Sequence, residues 1–371
     1  MRTIGYRLLV AALALMLLAA ADAPPSALSR GISVTHWFRF PPDRDPAALR
    51  GYLGDATLVQ LKRAGFTFVR LPVQPGLLTA PGALADAVAR IQRHGLAVAV
   101  SLFAASRPLE TDPAARGELL GMWHDLARVL RPFDGAATFP EVLNEPVFAN
   151  APGAWATLQH QAVAVIRATL PASTIILTGA DWGSIEGLLS LPPEPDRNVV
   201  YSFHFYQPAE LTALGAFRPG LDAAAMARLP FPAPDQDACQ AVAGSVRDRP
   251  TAELMHYYCS QRWDVARVAE RIAAAGAWGR RHHVGVLAGE FGASERLNAP
   301  ARLSWLTAVR EACEAAGIGW ALWGYDDPMG FGLHPPDDRR PIDPALMQSL
   351  GLIATGNHEA IPPHRPVATA P

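Results

Sequence analysis

Lysine is almost missing: Lys62 stands alone in 371 residues, and every other basic side chain is an arginine. We read that bias as a property of the coding sequence, without functional meaning. Net charge is nearly missing too, since 32 basic residues face 34 acidic ones for a formal -2, and the two signs are interspersed. No basic face is left to wrap a nucleic acid or to hold an anionic membrane surface. Cys239, Cys259 and Cys313 are too few and too scattered for a disulfide scaffold or a metal cluster. No Gly-rich phosphate turn follows the first β-rich run, where Val34, Thr35, His36 and Trp37 stand instead, and neither a serine elbow nor an HExxH helix occurs. No metal or cofactor is therefore expected. Charged residues make up only 18% against 50% hydrophobic, which excludes a disordered, collagenous or coiled-coil chain. Such a chain can bury one large core or two modest ones.

Long hydrophobic runs are also scarce. The run 8–21 follows Arg2 and Arg7 and spans roughly 14 residues, short for a bilayer and right for a signal-peptide core. Small residues at 19–21 or 21–23 offer cleavage sites, and no cysteine stands there to carry a lipid. Residues 1–23 are read as a signal peptide, with an uncleaved anchor as the alternative. The mature protein is expected in the periplasm or outside the cell, with no stable membrane insertion. Residues 24–360 are read as one domain, and 361–371 as a C-terminal tail.

What is present is an alternation. β-rich runs at 32–36, 67–71, 96–102, 139–143, 174–178, 199–205, 284–288 and 318–322 are separated by helical patterns at 55–64, 84–94, 114–130, 154–170, 263–278 and 301–316. Gly65, Gly95 and Gly317 follow three of these helices, where helices tend to stop. Eight apolar strands, each with a crossover, predict an α/β fold of the closed (β/α)8 TIM-barrel type. An open doubly wound sheet is the alternative. In a barrel the chemistry gathers where strands end, and those ends carry His36 and Trp37, Arg70, Asn144 and Glu145, Asp181 and Trp182, His204 and Tyr206, Glu290, then Trp323, Tyr325 and Asp326. Two carboxylates at the ends of strands 4 and 7 are what glycosidic cleavage needs, one to protonate the leaving oxygen and one to face the anomeric carbon. Trp37, Trp182 and Trp323 supply flat apolar faces for sugar rings.

Five segments then fall into a pattern: Phe68-Val69-Arg70-Leu71-Pro72, Leu143-Asn144-Glu145-Pro146, His204-Phe205-Tyr206, Gly289-Glu290-Phe291-Gly292 and Trp320-Ala321-Leu322-Trp323. From about Gly31 to Leu352 the chain resembles glycoside hydrolase family 5, the cellulase and mannanase family of retaining (β/α)8-barrel enzymes. The resemblance implies Glu145 as acid/base and Glu290 as nucleophile. It implies Arg70 beside Glu290 with a hydrogen bond from Tyr206 orienting that carboxylate, Asn144 on the sugar 2-hydroxyl, His204 supporting the acid/base, and Trp323 under the sugar being cleaved.

Two departures stand out. The histidine common at the end of strand 3 is missing, and His36 is the nearest substitute. About 80 residues separate Tyr206 from Val284, more than one βα unit needs, so an insertion at about 208–282 is expected. It is read as a long irregular stretch followed by the helix at 263–278, lying over the catalytic face and closing one end of the cleft, with Phe217, Phe231, Tyr257 and Tyr258 as candidate rim aromatics and Cys239 bridged to Cys259. The implied activity is that of a secreted β-glucan hydrolase acting on oligo- or polysaccharide. Mannan, β-1,3-glucan, exopolysaccharide or glycolipid, or a non-catalytic carbohydrate-binding barrel, remain as alternatives. Nothing in the residues sets the oligomeric state.

Overall fold

The computed structural model describes residues 23–78, 81–103, 108–216, 218–233, 235–327, 329–333 and 342–353. Residues 1–22 of the expected signal peptide and the C-terminal tail lie outside them, as does Phe217. Among the described residues no helix is long and apolar enough to cross a membrane.

Eight parallel strands close on themselves in sequence order, with the last paired to the first. They are β1 Arg30–Ser33, β2 Phe68–Val73, β3 Ala97–Leu102, β4 Thr138–Glu141, β5 Ile175–Thr178, β6 Val199–Phe205, β7 Gly285–Phe291 and β8 Gly319–Trp323. Helices Asp55–Ala64, Pro81–Arg93, Pro113–Leu130, Pro152–Thr169, Val265–His282 and Ala299–Ala315 fill most of the crossovers. Side chains alternate across each strand, so one set points outward to these helices and the other into the barrel. The inward set is apolar at one level, where Leu28, Phe68, Phe139, Ile176, Val200, Leu287 and Ala321 form their own cluster. Gly31 is required at that level, because a Cβ there would lie 2.2 Å from the Phe68 ring. One step further toward the strand ends the inward positions are Ser33, Arg70, Ser101, Glu141, Thr178 and Ser202, all buried and all polar. The barrel thus changes from an apolar plug to a polar layer just below its open face.

Two strand ends depart from expectation. β1 stops at Ser33, not at His36, and the chain turns into a short helix, Thr35–Phe38. The cause lies on the neighbouring strand: the Asp326 carboxylate, next to the end of β8, accepts the backbone N–H groups of Thr35 at 2.9 Å and His36 at 3.3 Å. β7 runs on past Ala288 to Phe291, so Glu290 projects from a strand and not from a loop.

The insertion after β6 is helical, which corrects the expectation of an irregular stretch. Ala209–Thr212, Ala223–Met226, Gln236–Gly244 and Arg249–Gln261 precede the barrel helix Val265–His282. A disulfide joins Cys239 to Cys259 with Cα atoms 5.6 Å apart, and Cys313 is a buried thiol. Capping explains the helices: Asp222, Asp235 and Asp248 each precede a short helix and accept one or two of its first N–H groups. The insertion packs on the segment after β7, through Ser294 N–H to Thr212 O at 2.8 Å and Asn298 N–H to Ala227 O at 3.0 Å. Phe231 and Tyr258 are core residues of this unit, and Tyr257 lies on its surface.

Candidate functional site

The site begins with Arg70, fully buried in the polar layer. Its fork meets Glu141 twice, at 2.7 and 2.6 Å, and its remaining donors reach Asn144 Oδ1 at 2.8 Å, Ser101 Oγ at 3.1 Å and Glu290 Oε2 at 3.1 Å. Glu141 was not singled out in the sequence, although it shares the inward face of β4 with Phe139. An acid at such a position needs a cationic partner. Asn144 presents its carbonyl oxygen to Arg70, so the donor end of the same amide is the end left for a substrate hydroxyl.

Glu290 and Glu145 meet at one imidazole. His204 Nδ1 lies 2.9 Å from Oε1 of Glu290 and 2.9 Å from Oε1 of Glu145, and the three donor atoms fall within 4.8 Å of one another. The local chain explains the meeting. Strand β6 carries a register shift between Phe203 and His204, which places His204 opposite Glu290. Gly289 permits it, since a Cβ there would lie 2.1 Å from Ser202 Oγ. From the other side Gly183 O accepts the His204 backbone N–H at 2.7 Å.

Charge in this cluster is set by neighbours more than by burial. Burial alone would raise the Glu290 carboxyl, but His204, Arg70 and Arg39 outweigh it and hold the pKa below the ordinary value. Burial alone would lower His204, yet Glu290 and Glu145 push it up to about 9, so the imidazole is cationic at neutral pH. A cation would find three ligand atoms here, but His204 Nδ1 already serves both carboxylates. The arrangement is that of a proton-handling cluster. Burial and the field of Glu290 raise Tyr206 well above the ordinary phenol, so it stays protonated. The expected hydrogen bond from Tyr206 to Glu290 is not formed among the described residues, and the ring packs edge-on to Phe331 at 5.7 Å.

The aromatics divide. Trp182 is 61% exposed, held at a φ of 51° beside the segment after β4, with its backbone N–H on Pro146 O at 3.1 Å. It forms a rim next to Glu145. Trp323 is only 3% exposed, packed with Ala213 of the insertion and Phe331, and its ring centroid lies 6.3 Å from that of Phe103. Trp37 is no platform: it is fully buried, and its indole donates to Leu49 O at 2.7 Å. The inner side of the short helix after β1 faces the core, which removes this ring from the cleft. His36 is half-buried on the same turn. The corner where a strand-3 histidine was missing holds Phe103, with the Arg39 guanidinium 3.7 Å from its ring centroid, and neither residue was marked by the sequence.

Residues 46–327 match the family model described as Cellulase (glycosyl hydrolase family 5). Endoglucanase 3 of Fibrobacter succinogenes is 32% identical over 197 residues, which is 50% of this chain and 29% of that protein. The chain therefore spans less than a third of that relative. Endoglucanase C of Acetivibrio thermocellus is 23% identical over 240 residues, 64% of this chain and 67% of the relative. Among solved structures, an endoglucanase from the hyperthermophilic Thermotoga maritima superposes with a TM-score of 0.72 at 22% identity, covering 88% of this chain and 98% of that one. Cellulose synthase subunit Z from Clostridioides difficile gives a TM-score of 0.68 at 21% identity, covering 87% and 99%. At these identities the structural likeness establishes the barrel.

Proposed function

The chain belongs to glycosyl hydrolase family 5, and from that premise we propose that it is an endoglucanase-like enzyme cleaving a β-linked glucan by double displacement. One observation carries the reading: oxygens of Glu145 and Glu290 lie within 4.8 Å of each other across the cleft. Retaining enzymes keep the two carboxyl groups about 5 to 5.5 Å apart, whereas inverting enzymes need about 6.5 to 9.5 Å to admit a water. Glu290, kept ionised by Arg70 and His204, attacks the anomeric carbon as Glu145 gives its proton to the departing oxygen. A water then loses a proton to Glu145 and displaces Glu290, which restores both groups. Asn144 donates to the sugar 2-hydroxyl, His204 positions the carboxylates, and Trp323 and Trp182 wall the cleft on either side of the bond. Export to the periplasm or beyond accords with the run at 8–21 and with the Cys239–Cys259 bond, which needs an oxidising compartment.

The test is a panel of soluble glycans with analysis of the products. The reading predicts internal cleavage of a β-1,4-glucan, slowed about 1,000-fold by Glu145→Gln and by Glu290→Gln. A Thermotoga maritima neighbour has been solved with mannotriose, so mannan belongs in the panel. No reducing ends released from any β-glycan would refute the reading.

A further inference from the structure

Arg39 stands in the same cleft, and the reaction above does not use it. It follows the short helix Thr35–Phe38, half-buried, and its guanidinium carbon lies 3.7 Å from the Phe103 ring centroid, 4.7 Å from Phe40 and 5.5 Å from Trp323. Its backbone N–H is taken up by Thr35 O at 3.2 Å, but among the described residues its guanidinium donates no hydrogen bond and joins no ion pair, so the guanidinium N–H groups are open to a ligand. The acids nearby are already committed. Glu290 faces Arg70 and His204, Glu145 faces His204, and Asp327 Oδ2 accepts the Phe331 N–H at 3.1 Å.

A half-buried cation with no acceptor is a costly thing to keep. Burial depresses its pKa despite the fields of Glu290 and Glu145, so its charge is only partly compensated within the chain. Its position also makes it hard for a substrate to avoid. Trp323 is 3% exposed and shares its surroundings with the guanidinium, so a sugar seated against that indole meets Arg39 as well. Because one face of the guanidinium lies on Phe103, its donors project edgewise. A planar two-oxygen acceptor meets such an edge with two parallel bonds, and a ring hydroxyl takes one.

The geometry points to Arg39 as the receptor for a carboxylate carried by the glycan, a uronate unit or an acidic side group, seated against Phe103 and Trp323. This rests on the glycosidase reading above and narrows its substrate class. An acidic sugar would otherwise be repelled by the ionised Glu290, and Arg39 is the cation placed to offset it.

The experiment uses the full chain, its Arg39→Gln and Arg39→Lys variants, and two matched probes: a neutral β-1,4-gluco-oligosaccharide and the same oligomer oxidised at C6 to contain glucuronate. The readout is the ratio of kcat/KM on the acidic probe to that on the neutral one. Arg39→Gln weakens the field on Glu290 and slows both, but the ratio falls by about 10-fold or more because a charge-assisted pair is lost only with the acid. Arg39→Lys keeps the charge without the fork and recovers part of the ratio. Equal losses on both probes overturn the proposal, since a merely structural role would act on both alike. Titration of both probes into Glu290→Gln and into Glu290→Gln with Arg39→Gln separates the two readings. If neither oligomer is cleaved, the glycosidase reading fails, while selective loss of acidic-probe affinity upholds Arg39 and equal affinities refute it.

Discussion

Arg70 and Glu141 form a wholly buried pair, with both carboxylate oxygens of Glu141 on the fork of the guanidinium. Glu141→Gln removes the charge and leaves Arg70 facing Glu290 alone in a low-dielectric layer. Breaking such a pair on one side costs about 3 to 5 kcal/mol, which urea unfolding of the variant should register, and a loss below about 1 kcal/mol would refute the pairing's importance. His204 yields a second prediction at this scale. Its pKa rises from 6.5 to about 9 in the folded protein, so its contribution to stability is complete below about 6.5 and fades as pH climbs through 9. Glu290 is lowered from 4.5, so its contribution is present above that value and fades as pH falls. The stability profile should therefore decline on its alkaline side near pH 9, and His204→Asn should flatten that limb; an unchanged limb would count against a charged His204. The strand-end motifs made Arg70, Asn144, Glu145, His204 and Glu290 readable in the sequence. Arg39 was not, because nothing in the run His36-Trp37-Phe38-Arg39-Phe40 says which side chain turns to the core and which to the cleft. Trp37 was misread for the same reason.

At the scale of elements, the insertion between β6 and β7 owes its shape to local signals that a coarse reading passes over. Asp222, Asp235 and Asp248 each start a helix, and the disulfide ties Gln236–Gly244 to Arg249–Gln261. Closing a loop of 20 residues stabilises by about 3 kcal/mol in the chain-entropy model. Replacing Cys239 and Cys259 together by alanine should lower stability by about that amount, and thiol counting on the unreduced, denatured protein should find one reactive group. Three reactive thiols would contradict the bond. The eight strands were legible because parallel strands buried on both faces read as apolar runs. Their ends were less so, since β1 is cut short by Asp326, almost 300 residues away in sequence.

For the whole molecule, the barrel brings residues from β2, β4, β6 and β7 onto one polar layer and opens it on one face, with the insertion's Ala213 against Trp323 at the edge. That convergence is what fold-level pattern could anticipate. The identity of the glycan could not be anticipated, because relatives with the same barrel and strand-end motifs differ in the side chains around them, and here Arg39 and Phe103 lie outside those motifs. Glu145→Gln and Glu290→Gln should each keep the folded far-ultraviolet spectrum and lower kcat by about 1,000-fold. The most direct measurement is an NMR time course of anomeric protons during hydrolysis of a β-1,4-gluco-oligosaccharide. Double displacement through Glu290 predicts that the β-anomer appears first and mutarotates afterwards; first appearance of the α-anomer would contradict the account.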